Sequence, residues 1–145
     1  MKGRRTNPRF RKIMVAYDSS KQAEKAVDVA RELAGCMDAK LLILAVARPP
    51  EPATSVELEA FLDDAREHYE EGFKRIRERA DEDEAFETAV VVGHPAEQIV
   101  HRAELEHADL IVLGNRGHSR IERLLLGSTS ERVLRYAHCP VMIVR

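Results

Sequence analysis

The hydrophobic pattern alternates between two periods along nearly the whole chain. "KIMVAY" (Lys12–Tyr17) is a short apolar run of strand length. After "DSSKQ", Ala23, Ala26, Val27, Ala30, Leu33 and Ala34 recur at helical spacing. Ser19 with Gln22 three residues later reads as a capping box that starts this helix, and Gly35 reads as its stop. "KLLILAVA" (Lys40–Ala47) is a second strand, apolar enough to be covered on both faces as in a parallel sheet. The three prolines of "RPPEPATS" break the pattern and predict a loop that folds over a site. A long amphipathic helix, 55–80, follows, with Leu58, Phe61, Leu62, Ala65, Tyr69, Phe73, Ile76 and Ala80 in one stripe. "DEDE" (Asp81–Glu84) then reads as a solvated connector.

"FETAVVVG" (Phe86–Gly93) is a third strand, and "HPAEQIVHRAELEHA" a helix with Pro95 in its first turn and Ile99, Val100 and Ala103 facing in. "DLIVLG" (Asp109–Gly114) is a fourth strand. "STSERVLRYA" is a helix with Val133, Leu134 and Ala137 inward, and "PVMIVR" (Pro140–Arg145) is the fifth strand. Strict β-α alternation predicts an α/β fold: a mostly parallel sheet with right-handed crossovers and helices on both faces. Ligands bind such sheets outside the carboxyl ends of the strands, where the strand order reverses.

Composition narrows the class. With 145 residues, 44% hydrophobic and 33% charged, the chain reads as one soluble globular domain with a real core. No apolar run is long enough to span a bilayer, and no apolar segment follows the basic N-terminus as a signal peptide requires, so a cytoplasmic location and no membrane partner are expected. The net charge of −2 is uneven. Residues 1–12 carry six basic groups and no acidic one, leaving the remainder at −8. Residues 1–11 read as a basic flexible tail on a single domain, 12–145. The acidic body argues against a nucleic-acid partner. Cys36 and Cys139 lack paired spacing and read as small buried hydrophobes rather than a disulfide or zinc site.

Candidate chemistry gathers after strands one and four. Asp18, at the end of the first strand, suits a ribose hydroxyl, a metal held through water, or a turn at the helix start. "GNRGHSRIERLLLGSTS" places Gly114 and Gly117 with two residues between them, and Gly127 after nine more. Glycines there let backbone approach a ligand or turn the chain. Gly127-Ser128-Thr129-Ser130 opens the last helix, whose free N–H groups and dipole favour an anion. Arg116, His118, Arg120 and Arg123 add local positive charge. Neither a Walker A loop nor GxGxxG is present. The six histidines are scattered without metal spacing, and no GxSxG elbow occurs.

The stretch "GNRGHSRIERLLLGSTSERVLRYAHCPVMIVR" resembles the universal stress protein family, whose ATP-binding members carry Gly-x2-Gly-x9-Gly-(Ser/Thr). Gly114, Gly117, Gly127 and Ser128 match it position by position. "KIMVAYDSS", "LLILAV", "VVVGHPAEQIV" and "CPVMIVR" resemble the family's other strands in order, so the likeness covers residues 12–145. It implies a Rossmann-like open five-stranded parallel sheet of order 3-2-1-4-5 and a homodimer paired through Val141–Val144. It further implies an ATP site, with magnesium accompanying the nucleotide. Ala16 and Tyr17 would line the adenine side, and Val46 would meet the adenine edge. Asp18 would bind ribose or help hold Mg2+. Leu113 and Gly114 would lie near ribose and phosphates. Gly117, Gly127, Ser128 and Thr129 would cradle the triphosphate, with Arg116 as an extra contact. Tyr17 is larger than the family's usual residue there and is expected to narrow the adenine pocket; Ser19 and Arg48 also depart from the common pattern.

No catalytic residue is assigned. Rapid ATP hydrolysis needs a positioned water, a base and a cation, and no base stands out. The expectation is a nucleotide-dependent stress-response switch or sensor with slow or no turnover. A dimeric interaction protein of the same fold without nucleotide is the alternative, and an adenylating or hydrolytic enzyme of a related fold is a third.

Overall fold

The structure, a computed structural model, describes residues 9–115 and 126–145. Its elements are β1 (Lys12–Tyr17), α1 (Lys21–Met37), β2 (Lys40–Ala47), α2 (Ser55–Arg79), β3 (Glu87–Val92), α3 (Pro95–Leu105), β4 (Leu110–Gly114), α4 (Ser128–Tyr136) and β5 (Val141–Val144). The strands form one sheet of order β3-β2-β1-β4-β5. All four pairings are parallel, with Val15 opposite Ile43 on one side and Val112 on the other, and Leu113 opposite Ile143. The alternating apolar runs therefore form the α/β sheet that their pattern predicts. None of the described helices is long and apolar enough to cross a membrane.

Strand pleating sends successive side chains to opposite faces and builds two cores. On one face Ile13, Val15 and Tyr17 pack with Val27, Ala30, Phe73 and Ile76 from α1 and α2. On the other, Met14, Leu42, Leu44 and Ile111 pack with Ile99 of α3 and Val133 of α4.

Several local expectations shift. The cap of α1 is Ser20, whose hydroxyl accepts from the Ala23 N–H at 3.1 Å. Ser19 takes the left-handed region at φ 69° and serves the turn instead. The helix runs through Gly35 to Met37. It closes where Asp38, at φ 51°, donates its N–H to the Ala34 carbonyl. Cys36 is consequently exposed, on the outer face of that last turn, whereas Cys139 is half-buried and its thiol pKa is pushed up by burial. Leu134 is 42% exposed because the short α4 turns only one stripe, centred on Val133, to the sheet. The acidic connector is not merely solvated: Glu84 accepts from Arg31 Nε at 2.7 Å and Nη2 at 3.0 Å, tying it to α1. At the chain start, Phe10 packs on the first core, and the Arg11 N–H donates to Asp109 at 2.8 Å. Residues 1–8 of the expected tail lie outside the described residues.

The long helix follows its expected span and carries a cap that the pattern did not reveal. Thr54 Oγ1 accepts from the Glu57 N–H at 3.2 Å, and Glu57 accepts from the Thr54 N–H at 2.6 Å. The Thr54 N–H first, and then the Thr54 hydroxyl, hold the Glu57 carboxyl below its ordinary pKa.

Candidate functional site

β1 and β4 are neighbours in the sheet, yet the helices that follow them cover opposite faces. Their carboxyl ends diverge there, and a cleft of about 420 Å³ opens between them. This size suits a small-molecule ligand, since such pockets span roughly 300–1,000 Å³. Ala16, Tyr17 and Asp18 border it from the end of β1, Val46 from β2, and Leu113 and Gly114 from β4. Gly127, Ser128 and Thr129 close it at the start of α4. Nine of the sequence-nominated residues thus converge from four elements. The other two, Arg116 and Gly117, lie outside the described residues, as do His118, Arg120 and Arg123.

The polar end is built by α4. Gly127 is its N-cap and has no side chain, so the N-cap residue itself caps none of the first-turn N–H groups. Those groups have no intrahelical partners and carry the positive end of the helix dipole. Ser128, Thr129 and Ser130 line the cleft at this point. The helix is held from below by buried Val133 and from the side by α3, through Arg132–Glu97 at 3.6 Å and a His138–Glu104 pair.

Asp18 is the only charged side chain in the described lining. Its Oδ1 accepts from the Ser20 N–H at 3.0 Å, which fixes the turn between β1 and α1. The ligand reading and the turn reading of this residue are thus compatible: one carboxylate shapes the turn and borders the cleft.

Two residues depart from their expected roles. Tyr17 does not narrow the cleft. Pleating puts its ring on the opposite face, 5.8 Å from Phe73 and 6.3 Å from Tyr69 between ring centroids. Its hydroxyl donates to Glu24 at 2.8 Å, and Glu24 in turn accepts from Arg79 at 3.0 Å. Burial first, and then Glu24, raise the Tyr17 pKa. Gly114 carries a packing constraint alongside its place at the cleft. A Cβ built there would stand 2.6 Å from the Gln22 carbonyl oxygen and 3.0 Å from the Ala23 nitrogen. Only glycine lets the first turn of α1 lie this close to β4.

Sequence reasoning missed Ser20, Leu44, Pro95, Ile99 and Leu126, which also line the cleft. Leu44 shares a strand face with Val46, and Pro95 and Ile99 share a helix face. Those periodicities were the available signal, but they are identical to the signal for core. Among the described residues, no group of three histidine, cysteine or acidic side chains is arranged to hold a metal.

Known proteins similar to this chain agree with the geometry. The family model described as the universal stress protein family matches residues 9–145. Universal stress protein YxiE of Bacillus subtilis is 37% identical, with 94% of this chain and 99% of the relative covered. Among solved structures, universal stress protein UspA from Lactobacillus plantarum is 29% identical with a TM-score of 0.78, covering 96% of this chain and all of that one. A universal stress protein solved in complex with cAMP is 32% identical with a TM-score of 0.63, covering 94% and 97% of the two chains. With its sheet order, its cleft and these likenesses together, the chain belongs to the universal stress protein family.

Proposed function

We propose that this protein binds ATP in the cleft between β1 and β4, with Mg2+ carried in on the phosphates. Occupancy of the site would act as a stress-response switch with slow or no hydrolysis. The observation that carries the reading is the convergence of Asp18, an apolar floor and an uncapped helix N-terminus around one cleft of nucleotide size. Ala16, Leu44, Val46 and Leu113 offer an apolar seat for a base, with Tyr17 bordering it. Asp18 is an acceptor for ribose hydroxyls, and Gly127, Ser128 and Thr129 present N–H groups and hydroxyls to phosphate. Gly117 completes the glycine spacing in sequence, and Arg116 is proposed as an extra phosphate contact outside that motif. The cAMP complex of a relative supports the adenine nucleotide class.

The donor set also fits the proposed metal. One carboxylate cannot build a protein cage, but Mg2+ is usually bound by one or two carboxylates plus substrate phosphates. Bound in this way, the ion would neutralise phosphate charge that the described lining meets with backbone dipoles and hydroxyls but with no cationic side chain. Asp18 is the sole carboxyl in that lining, and its Oδ1 is engaged with Ser20. That arrangement suits holding a nucleotide better than activating a water. For the assembly, we propose a homodimer through β5: it is an edge strand of the sheet, with Val141, Met142 and Ile143 only half-buried. An unpaired apolar edge is a ready template for pairing with a second copy.

Gly127→Val tests the site. A branched side chain at the mouth of the phosphate end should abolish ATP binding in a titration while the far-ultraviolet circular dichroism spectrum stays unchanged. Undiminished affinity in that variant would remove the helix N-terminus from the account.

A further inference from the structure

A second cleft, of about 470 Å³, lies where the loop after β2 passes over the first turns of α2 and the end of β3. Its walls are apolar: Pro50, Ala53, Leu58, Leu62 and Val92. Two ionisable side chains reach it, Glu51 and Glu59, and both are carboxylates; none of its described lining residues is lysine, arginine or histidine. Glu51 also stands 3.4 Å from His94 Nε2, at the N-cap of α3. An apolar trough whose own ionisable lining is two carboxylates, Glu59 and the His94-paired Glu51, disfavours phosphates and carboxylates and favours a cation that carries hydrocarbon. We propose that this cleft binds an organic ammonium with an apolar body, the hydrocarbon lying against Leu58, Leu62 and Val92 and the ammonium facing Glu51 and Glu59. No residue lining this cleft lines the first one. The proposal therefore stands apart from nucleotide binding.

Titration of the full chain with n-hexylammonium chloride, read on the methyl resonances of Ala53, Leu58, Leu62 and Val92, tests it. n-Hexanol and sodium hexanoate at matched ionic strength serve as comparison probes. The expected result is saturable shifts confined to those methyls. Exposed ion pairs contribute modestly, so the alcohol should bind about fivefold more weakly, as should the amine to the Glu51→Gln/Glu59→Gln variant. Each added methylene that is buried should tighten binding about fourfold, which charge attraction to the surface alone does not produce. Both glutamates are exposed, so their replacement leaves the core intact. The proposal is overturned by any of three results: shifts that do not saturate, hexanoate binding as well as the amine, or affinity indifferent to chain length.

Discussion

Gly114→Ala isolates the packing constraint beneath the candidate site. The new methyl would lie 2.6 Å from the Gln22 carbonyl oxygen and 2.7 Å from its carbonyl carbon. A carbon–oxygen contact needs about 3.3 Å, so strand and helix must part by roughly 0.7 Å. The obstructing atoms are backbone in the first turn of α1, which Ser20 caps and whose Ala23 and Ala26 are buried. No rotamer change can relieve the clash. Overpacking of this kind costs about 1–3 kcal/mol, here toward the upper end. Loss of glycine's freedom in the unfolded chain returns about 0.5–1 kcal/mol. The net is about 2 kcal/mol of destabilisation. For a domain of this size that is roughly 6–8 °C in Tm. Thermal unfolding followed by circular dichroism measures it. Gln22→Ala in the same background should give no rescue, because the clash is with backbone. An unchanged Tm, or rescue by the Gln22 substitution, would refute the reasoning.

Three further outcomes follow from particular contacts. Tyr17→Phe removes the bond to Glu24 and should cost about 1 kcal/mol in denaturant unfolding. It should leave ligand affinity untouched, because the ring faces away from the cleft; a changed affinity would place the hydroxyl in the site. Thr54→Ala deletes the α2 cap and should cost about 1 kcal/mol, with equal Cm for variant and parent as the contrary result. Glu84 and Glu106 have pKa values held below the ordinary 4.5, chiefly by hydrogen bonds from Arg31 and Lys12 respectively. Since the folded pKa lies below the unfolded one, each contributes stability that is fully present above pH 4.5 and is lost as pH falls through the folded value. Replacing Glu84 and Glu106 with glutamine should therefore flatten the acid limb of a stability–pH curve below that point while leaving its slope near pH 7 unchanged.

The strands were legible because parallel strands covered on both faces read as near-continuous apolar runs, and five of them alternate with helical spacing. What escaped was decided by backbone conformation or by distant partners. Ser19 and Ser20 are chemically identical cap candidates; the left-handed φ of Ser19 makes the choice. Gly35 looks like a stop, but the helix runs on for less than one more turn and closes at Asp38, whose N–H reaches the Ala34 carbonyl. The face taken by Tyr17 was available from the alternation of Ile13, Val15 and Tyr17 against Met14 and Ala16. The space for its ring was not, since it depends on Gly72 in α2, where a Cβ would come within 2.5 Å of the Tyr17 hydroxyl. Within the site, glycines, hydroxyls and a carboxylate announce themselves by type. Leu44 and Ile99 do not, because an apolar side chain under a ligand and one under a helix obey the same periodicity. The second cleft was invisible for a related reason: it exists only once the proline-rich loop is laid over Leu58 and Leu62.

The central claim is that the cleft between β1 and β4 holds ATP. Calorimetric titration of MgATP into protein freed of nucleotide tests it most directly. The account predicts saturable binding at one site per chain that is lost in Gly127→Val. No saturable heat up to millimolar ATP would contradict it.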